Sequence, residues 1–125
     1  MTTLTPILSK FWDHPQSWTL QTYAENDGYQ ALRKALGMEQ SALVGMTKDS
    51  GLRGRGGAGF PTHLKWAAVA AQPPHPEGGG KWIVCNGNED EPGTFKDRFL
   101  LSQTPHQVIE GALIAAVAVR ANQIA

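Results

Sequence analysis

Ser50-Gly51-Leu52-Arg53-Gly54-Arg55-Gly56-Gly57-Ala58-Gly59-Phe60-Pro61 is the stretch that decides how this chain folds. Five glycines in the nine positions from Gly51 to Gly59 lose too much entropy on ordering, and offer too little side chain, for a regular helix or strand. Pro61-Thr62 then suits a first helical turn. Leu64, Trp66, Ala67, Ala68 and Ala71 carry a helix to about Gln72. Bare amides feeding a helix N-terminus can cradle an anion, because unpaired N–H groups and the helix dipole present positive charge together. Gly54 to Gly59 spells G-x-G-x-x-G, but the preceding Thr47-Lys48-Asp49-Ser50 is polar where a dinucleotide fold needs a buried strand. Phe60-Pro61 stands where a P-loop needs Lys-Ser/Thr. Two readings stay open: a surface linker, or a phosphate cradle with Arg53, Arg55 and Lys65 adding charge.

Upstream, Met1 to Thr22 holds Phe11, Trp12 and Trp18 without a sustained period and reads as an extended N-terminal arm. Asp27-Gly28-Tyr29-Gln30 predicts a helix start, Asp27 as N-cap and Gln30 as its reciprocal partner. Tyr29, Leu32 and Leu36 follow at helical spacing, and Gly37 stops the run. A second short helix is expected over Gln40 to Lys48, with Leu43, Val44 and Met46 turned partly inward.

Downstream, Pro73, Pro74, Pro76 and Gly78 to Gly80 read as a surface loop, and Lys81 to Cys85 as the one strand. Asn86-Gly87-Asn88 is a turn leading to Glu89-Asp90-Glu91-Pro92-Gly93. That segment lies past the C-terminal end of a predicted strand, where open α/β sheets bind ligands. Taken alone it reads first as a solvated acidic loop; the acids lack EF-hand spacing and a histidine pair for a metal site. Thr104-Pro105-His106-Gln107 supplies an N-cap, a proline and an N3 glutamine. Val108, Ile109, Leu113, Ala116 and Val117 then form an apolar stripe to Val119. Cys85 reads as a small buried hydrophobe, Trp66 and Trp82 as core residues, and His14, His63, His75 and His106 as surface, loop or cap residues. One strand does not make a sheet, so the chain is expected to be incomplete.

The 125 residues carry 11 basic and 11 acidic side chains and no net charge, which argues against a nucleic-acid partner. The longest apolar run, Val108 to Val119, is short of a membrane span and interrupted by Glu110, so no direct membrane insertion is expected. A single cysteine excludes an internal disulfide, or a four-cysteine metal site made by this chain alone. No metal ligands are assigned. Glycine supplies 14 of 125 residues, about 11% against a usual ~7%, which marks the loops as the informative part.

Two segments carry a resemblance. Ser50 to Trp66 (SGLRGRGGAGFPTHLKW) and Cys85 to Arg98 (CNGNEDEPGTFKDR) resemble the FMN-binding signatures of the NADH-oxidising flavoprotein subunit of respiratory complex I. The related subunits of NAD-dependent formate dehydrogenases and NAD-linked hydrogenases are similar as well. The likeness runs from about Tyr23 to Arg120.

The fold it implies is α/β, the helix-rich N-terminal part of an FMN-binding Rossmann-like domain with few strands. An arm over residues 1–22 and a domain part over 23–125 follow. The resemblance implies FMN as cofactor, NADH as substrate and electrons passed singly to iron–sulfur clusters. Gly54, Arg55, Gly56 and Gly57 would lie against the FMN phosphate, and Lys65 would reach the flavin. Asn86, Asn88 and Glu89 would contact the isoalloxazine and ribityl groups. Glu91 would act catalytically where NADH approaches, and Phe60 would stack the nicotinamide nucleotide.

Asn88, Asp90, His63 and Ala68 differ from the family's usual residues. The family's later glycine-rich segment and its C-terminal cysteine cluster, which binds a 4Fe-4S centre, are absent from these residues. Expected partners are the iron–sulfur subunits of a redox complex, and the expected place is the cytoplasm, peripheral to the inner membrane. The alternatives are a noncatalytic remnant, a nucleotide-binding or assembly module, and a formate dehydrogenase or hydrogenase as parent complex.

Overall fold

A computed structural model of the protein describes residues 5–73 and 79–125. The expected surface loop at Pro74, Pro76 and Gly78, and His75 with it, lie outside the described residues. Contacts group the described chain into two units. The first holds the residues up to Gln30 with Asn86–Gly111, and the second holds Ala31–Cys85 with Ala112–Ala125.

In the first unit the N-terminal segment is not extended. Successive turns wind it, with Trp12 N–H on Ser9 O at 3.2 Å, His14 N–H on Phe11 O at 2.9 Å and Thr19 N–H on Gln16 O at 2.9 Å. Burial of the Phe11 ring against Tyr23 draws the chain inward and overrides the extended reading. Helix α1 (Leu20–Glu25) starts at Thr19, whose hydroxyl accepts the Thr22 amide at 3.2 Å.

The next helix, α2 (Gln30–Leu36), begins two residues later than the capping pattern predicts. Asp27 and Tyr29 take left-handed φ of 66° and 63° and reverse the chain, so Asp27 lacks the extended geometry of an N-cap. The Tyr29 amide donates instead to a Glu110 carboxylate oxygen at 3.0 Å.

Glu110 is buried, and it also accepts from the Tyr23 hydroxyl. Tyr29 Oη pairs with His106 Nδ1 at 2.8 Å, while the Tyr23 ring packs on both Tyr29 and His106. His106 is therefore part of a partly buried polar node rather than a surface or cap residue. Burial first, and the Glu110 carboxylate second, push the Tyr23 and Tyr29 phenols above the ordinary value of 10.0.

Helix α3 (Gln40–Asp49) forms where expected, but Thr47 rather than Met46 takes the inward place, its hydroxyl donating to Leu43 O at 2.9 Å. Helix α4 (Thr62–Ala70) packs against α3. Lys81 Nζ donates to Ala70 O at 3.0 Å and closes the helix two residues before the predicted end. The second unit's core is Ala35, Leu43, Ala118 and Val119, with Trp66, Val69 and Ile83 packed on it. Ala35, not Leu36, faces that core.

Strand β1 (Trp82–Ile83) lies inside the predicted Lys81 to Cys85 run. It pairs in parallel with β2 (Gln123–Ile124), an element the sequence pattern did not reveal, in the register Trp82↔Gln123 and Ile83↔Ile124. Cys85 N–H on Ala125 O at 2.8 Å extends the pairing. Trp82 and Cys85 are exposed, against expectation: Trp82 is on the side of the strand that Val84 also leaves exposed, and Cys85 lies past the end of β1.

Helix α5 (Lys96–Gln103) was likewise not foreseen, and α6 (Pro105–Val119) starts at the predicted proline. Thr104 does not form the expected capping box. It ends α5, and its hydroxyl donates back to Leu100 O at 3.3 Å, while the Gln107 amide group reaches Ile7 O at 3.4 Å. Alanines 112, 115, 116 and 118 and Val119 form the buried side of α6, and Ile109 stays exposed. Among the described residues no helix is long and apolar enough to cross a membrane.

Candidate functional site

In the second unit the glycine loop leaves α3 through Ser50 and returns into α4 through Pro61. Its neck is a single antiparallel bridge, Arg53↔Pro61. The Gly54 amide donates to Phe60 O at 2.9 Å and the Thr62 amide to Leu52 O at 3.0 Å. Beyond the neck, Arg55 to Ala58 stand exposed.

Gly57 has a φ of 104°, which calls for glycine, and Gly59 has a left-handed φ of 60°, which glycine adopts most readily. Gly56 differs: its φ is not left-handed, and a Cβ built there meets nothing within 4 Å. Neither conformation nor internal packing demands glycine at that position. The loop is open on this side, and its exposed amides are of the kind that can accept an anion.

Arg55 and Lys65 are exposed, and their side chains have no hydrogen bond or ion pair among the described residues. Phe60 is 54% exposed at the loop's end.

In the first unit the Asn86 side chain accepts the Asn88 amide at 2.8 Å and folds the chain into an Asx turn. Glu89 then reaches across to the start of α5. Its two carboxylate oxygens accept the Asp97 amide at 2.8 Å and the Arg98 amide at 3.2 Å. Phe95 at the N-cap position has no side-chain acceptor, so Glu89 supplies the cap from seven residues upstream of the helix. Lys96 lies 3.8 Å from Glu89 and 3.0 Å from Asp97, and its hydrogen bond to Asp97 is the main cause that holds its ammonium above the ordinary value.

A cleft of about 510 Å³ opens here, lined by Gly87, Asn88, Glu89, Arg98, Leu101 and Ser102. It brings Asn88 and Glu89 together with Arg98, which the sequence reading did not single out. Asn86, Asp90 and Glu91 are exposed. Among the described residues no group of three or more His, Cys, Asp and Glu is placed to hold a metal ion.

The Glu89 cap makes a direct prediction. Glu89→Ala costs α5 about 1 kcal/mol, seen as roughly fivefold faster hydrogen exchange at the Asp97 and Arg98 amides. Glu89→Gln, which keeps one acceptor, falls between. Unchanged exchange in Glu89→Ala would show that α5 stands without it.

An exposed glycine loop feeding a helix, a parallel strand pair, and an asparagine–acid turn tied to a capped helix define a helix-rich α/β protein. Residues 47–125 match the family described as the Nuo51 FMN-binding domain, and the chain belongs to that family. It is 51% identical over 130 residues to the F subunit of the NADH-quinone oxidoreductase of Mycobacterium tuberculosis, covering 97% of this chain and 28% of that protein. The F subunit of the Escherichia coli NADH-quinone oxidoreductase is 43% identical over 117 residues, covering 93% of this chain and 26% of that protein. A solved NAD+-reducing NiFe-hydrogenase in its air-oxidized state superposes with a TM-score of 0.66 at 34% identity, over 96% of this chain and 18% of that one. The chain thus spans little more than a quarter of the length of its oxidoreductase relatives.

Proposed function

We propose that this chain carries the phosphate-binding part of an FMN site in an NADH-oxidising flavoprotein subunit. Membership of the FMN-binding family supports the reading, and the observation that carries it is the open space at Gly56 within a run of exposed backbone from Arg55 to Ala58.

The amides of Arg55, Gly56 and Gly57 hold the phosphate end, Gly54 lines it while its own amide stays on Phe60 O, and the Arg55 side chain adds charge in a largely solvated setting. The Lys65 ammonium approaches the flavin ring and favours its anionic reduced form. Asn86 and Asn88 offer donors and acceptors to the isoalloxazine and ribityl groups. Glu89, held by the α5 amides, adds a carboxylate on the same turn. Glu91 faces arriving NADH and acts at the catalytic step, and Phe60 stacks the nicotinamide nucleotide. FMN, when bound, supplies a hydride acceptor that releases electrons one at a time. Those electrons go to iron–sulfur partner subunits, at the cytoplasmic face of the membrane.

The hydrogenase neighbour supports a second parent assembly, an NAD-linked hydrogenase, in which the same residues keep the same tasks. A flavin-fluorescence titration tests the reading. With only part of the contacts present, the chain binds FMN with a dissociation constant on the order of 1 mM, and riboflavin, which lacks the phosphate, several-fold more weakly. Equal responses to FMN and riboflavin would remove the phosphate cradle from the account.

A further inference from the structure

The neck of the glycine loop is closed by two backbone hydrogen bonds flanking the Arg53↔Pro61 bridge. Past that pair the backbone ladder ends. The next tie across the loop is made by a side chain: Arg53 Nη1 donates to Gly59 O at 3.0 Å. Gly59 sits at φ 60°, so its carbonyl direction is set by a left-handed residue that glycine adopts without penalty and can also leave without penalty. Something must hold it there. The charged guanidinium does, through a charge-assisted hydrogen bond stronger than a neutral one.

The three cations near the loop therefore divide into two kinds. Arg55 and Lys65 have no partner among the described residues, whereas Arg53 is engaged within the loop itself.

We propose that Arg53 is a positioning residue, which clamps the glycine loop shut through the Gly59 carbonyl and so sets the arrangement of amides offered to a phosphate. The proposal rests on the FMN reading for the identity of the phosphate, but the clamp exists with or without a ligand. Arg53 does not contact the anion; it acts through Gly59 and the loop neck. The Gly54 and Thr62 amides, which form the neck, report its state.

The test is amide hydrogen exchange on the full chain in anion-free buffer, for wild type, Arg53→Met and Arg53→Lys. Methionine keeps length and apolar stem but donates nothing, while lysine restores a charged donor. The Gly54 and Thr62 amides exchange at least about threefold faster in Arg53→Met and return to within about 1.5-fold of wild type in Arg53→Lys. Exchange at Leu43 and Thr47 of α3 stays unchanged in all three and shows that the fold is intact. Equal exchange at the neck in all three proteins would overturn the proposal, since a residue that acts only on a bound anion leaves the empty loop untouched.

A second arm adds FMN and follows the loop amides by NMR. Arg53→Met weakens the response at least about threefold, and Arg53→Lys restores it. If wild type itself fails to respond to FMN while the neck exchange behaves as stated, the clamp stands and the flavin reading falls.

Discussion

Gly56→Val is expected to abolish flavin binding by the chain while leaving its fold unchanged. A Cβ at Gly56 meets no atom within 4 Å beyond its chain neighbours, and its φ is not left-handed, so a valine finds open space there. A surface change of that kind moves stability by no more than about 0.5 kcal/mol. The same branched side chain fills the volume beside the amides and keeps a phosphate from approaching them. Affinity for FMN falls at least about tenfold, beyond detection from a millimolar start. The paired measurement is denaturant unfolding for stability and flavin fluorescence for binding. A stable Gly56→Val protein with undiminished FMN affinity would mean the loop has another purpose.

The largest loss of stability is expected at Glu110. Its carboxylate accepts the Tyr23 hydroxyl and the Tyr29 amide inside the first unit. Glu110→Leu conserves bulk but leaves both donors buried without these acceptors, at a cost of about 3 kcal/mol in denaturant unfolding. Glu110→Gln retains an acceptor and costs about 1 kcal/mol.

The same node sets an alkaline limit. The folded phenols ionise above their unfolded value of 10.0, chiefly because burial disfavours the phenolate. Their contribution is therefore complete below pH 10 and declines as pH rises through and beyond it, because the unfolded chain releases protons first. Tyr23→Phe removes the ionising group and flattens that decline. A Glu110→Leu protein as stable as wild type, or an alkaline limb indifferent to Tyr23→Phe, would show that the node is not a structural tie.

How much of this was legible in the sequence varies by element. The loop from Gly51 to Gly59, the helix beyond Pro61, the strand within Lys81 to Cys85 and the start of α6 at Pro105 all announce themselves through local chemistry: glycine density, proline position, β-branched residues. These supported an α/β, helix-rich fold with few strands. Helix α5 was not legible because its cap is not local. Phe95 is no cap residue, and the acceptor is Glu89, brought there only by the fold. An uninterrupted run from Lys96 to Gln103 without glycine or proline was the available signal. β2 escaped because two residues carry no period. Glu110 looked like an interruption of an apolar helix, and only the return of Tyr23 and Tyr29 to its side gives it a purpose.

On the site side, the glycine motif pointed to the loop, which the structure leaves open at Gly56. The internal tie of Arg53 could not be read, because spacing says which cations are near a loop and not which of them its own carbonyls already hold.

The most direct check of the central claim is residue-resolved. A ¹H–¹⁵N spectrum of the chain is recorded with increasing FMN and, separately, riboflavin, to about 10 mM. The account predicts that the amides of Gly54, Arg55, Gly56 and Gly57 shift with FMN, saturably, and stay nearly still with riboflavin. Loop amides that ignore FMN at that concentration, or that answer riboflavin equally, would contradict it.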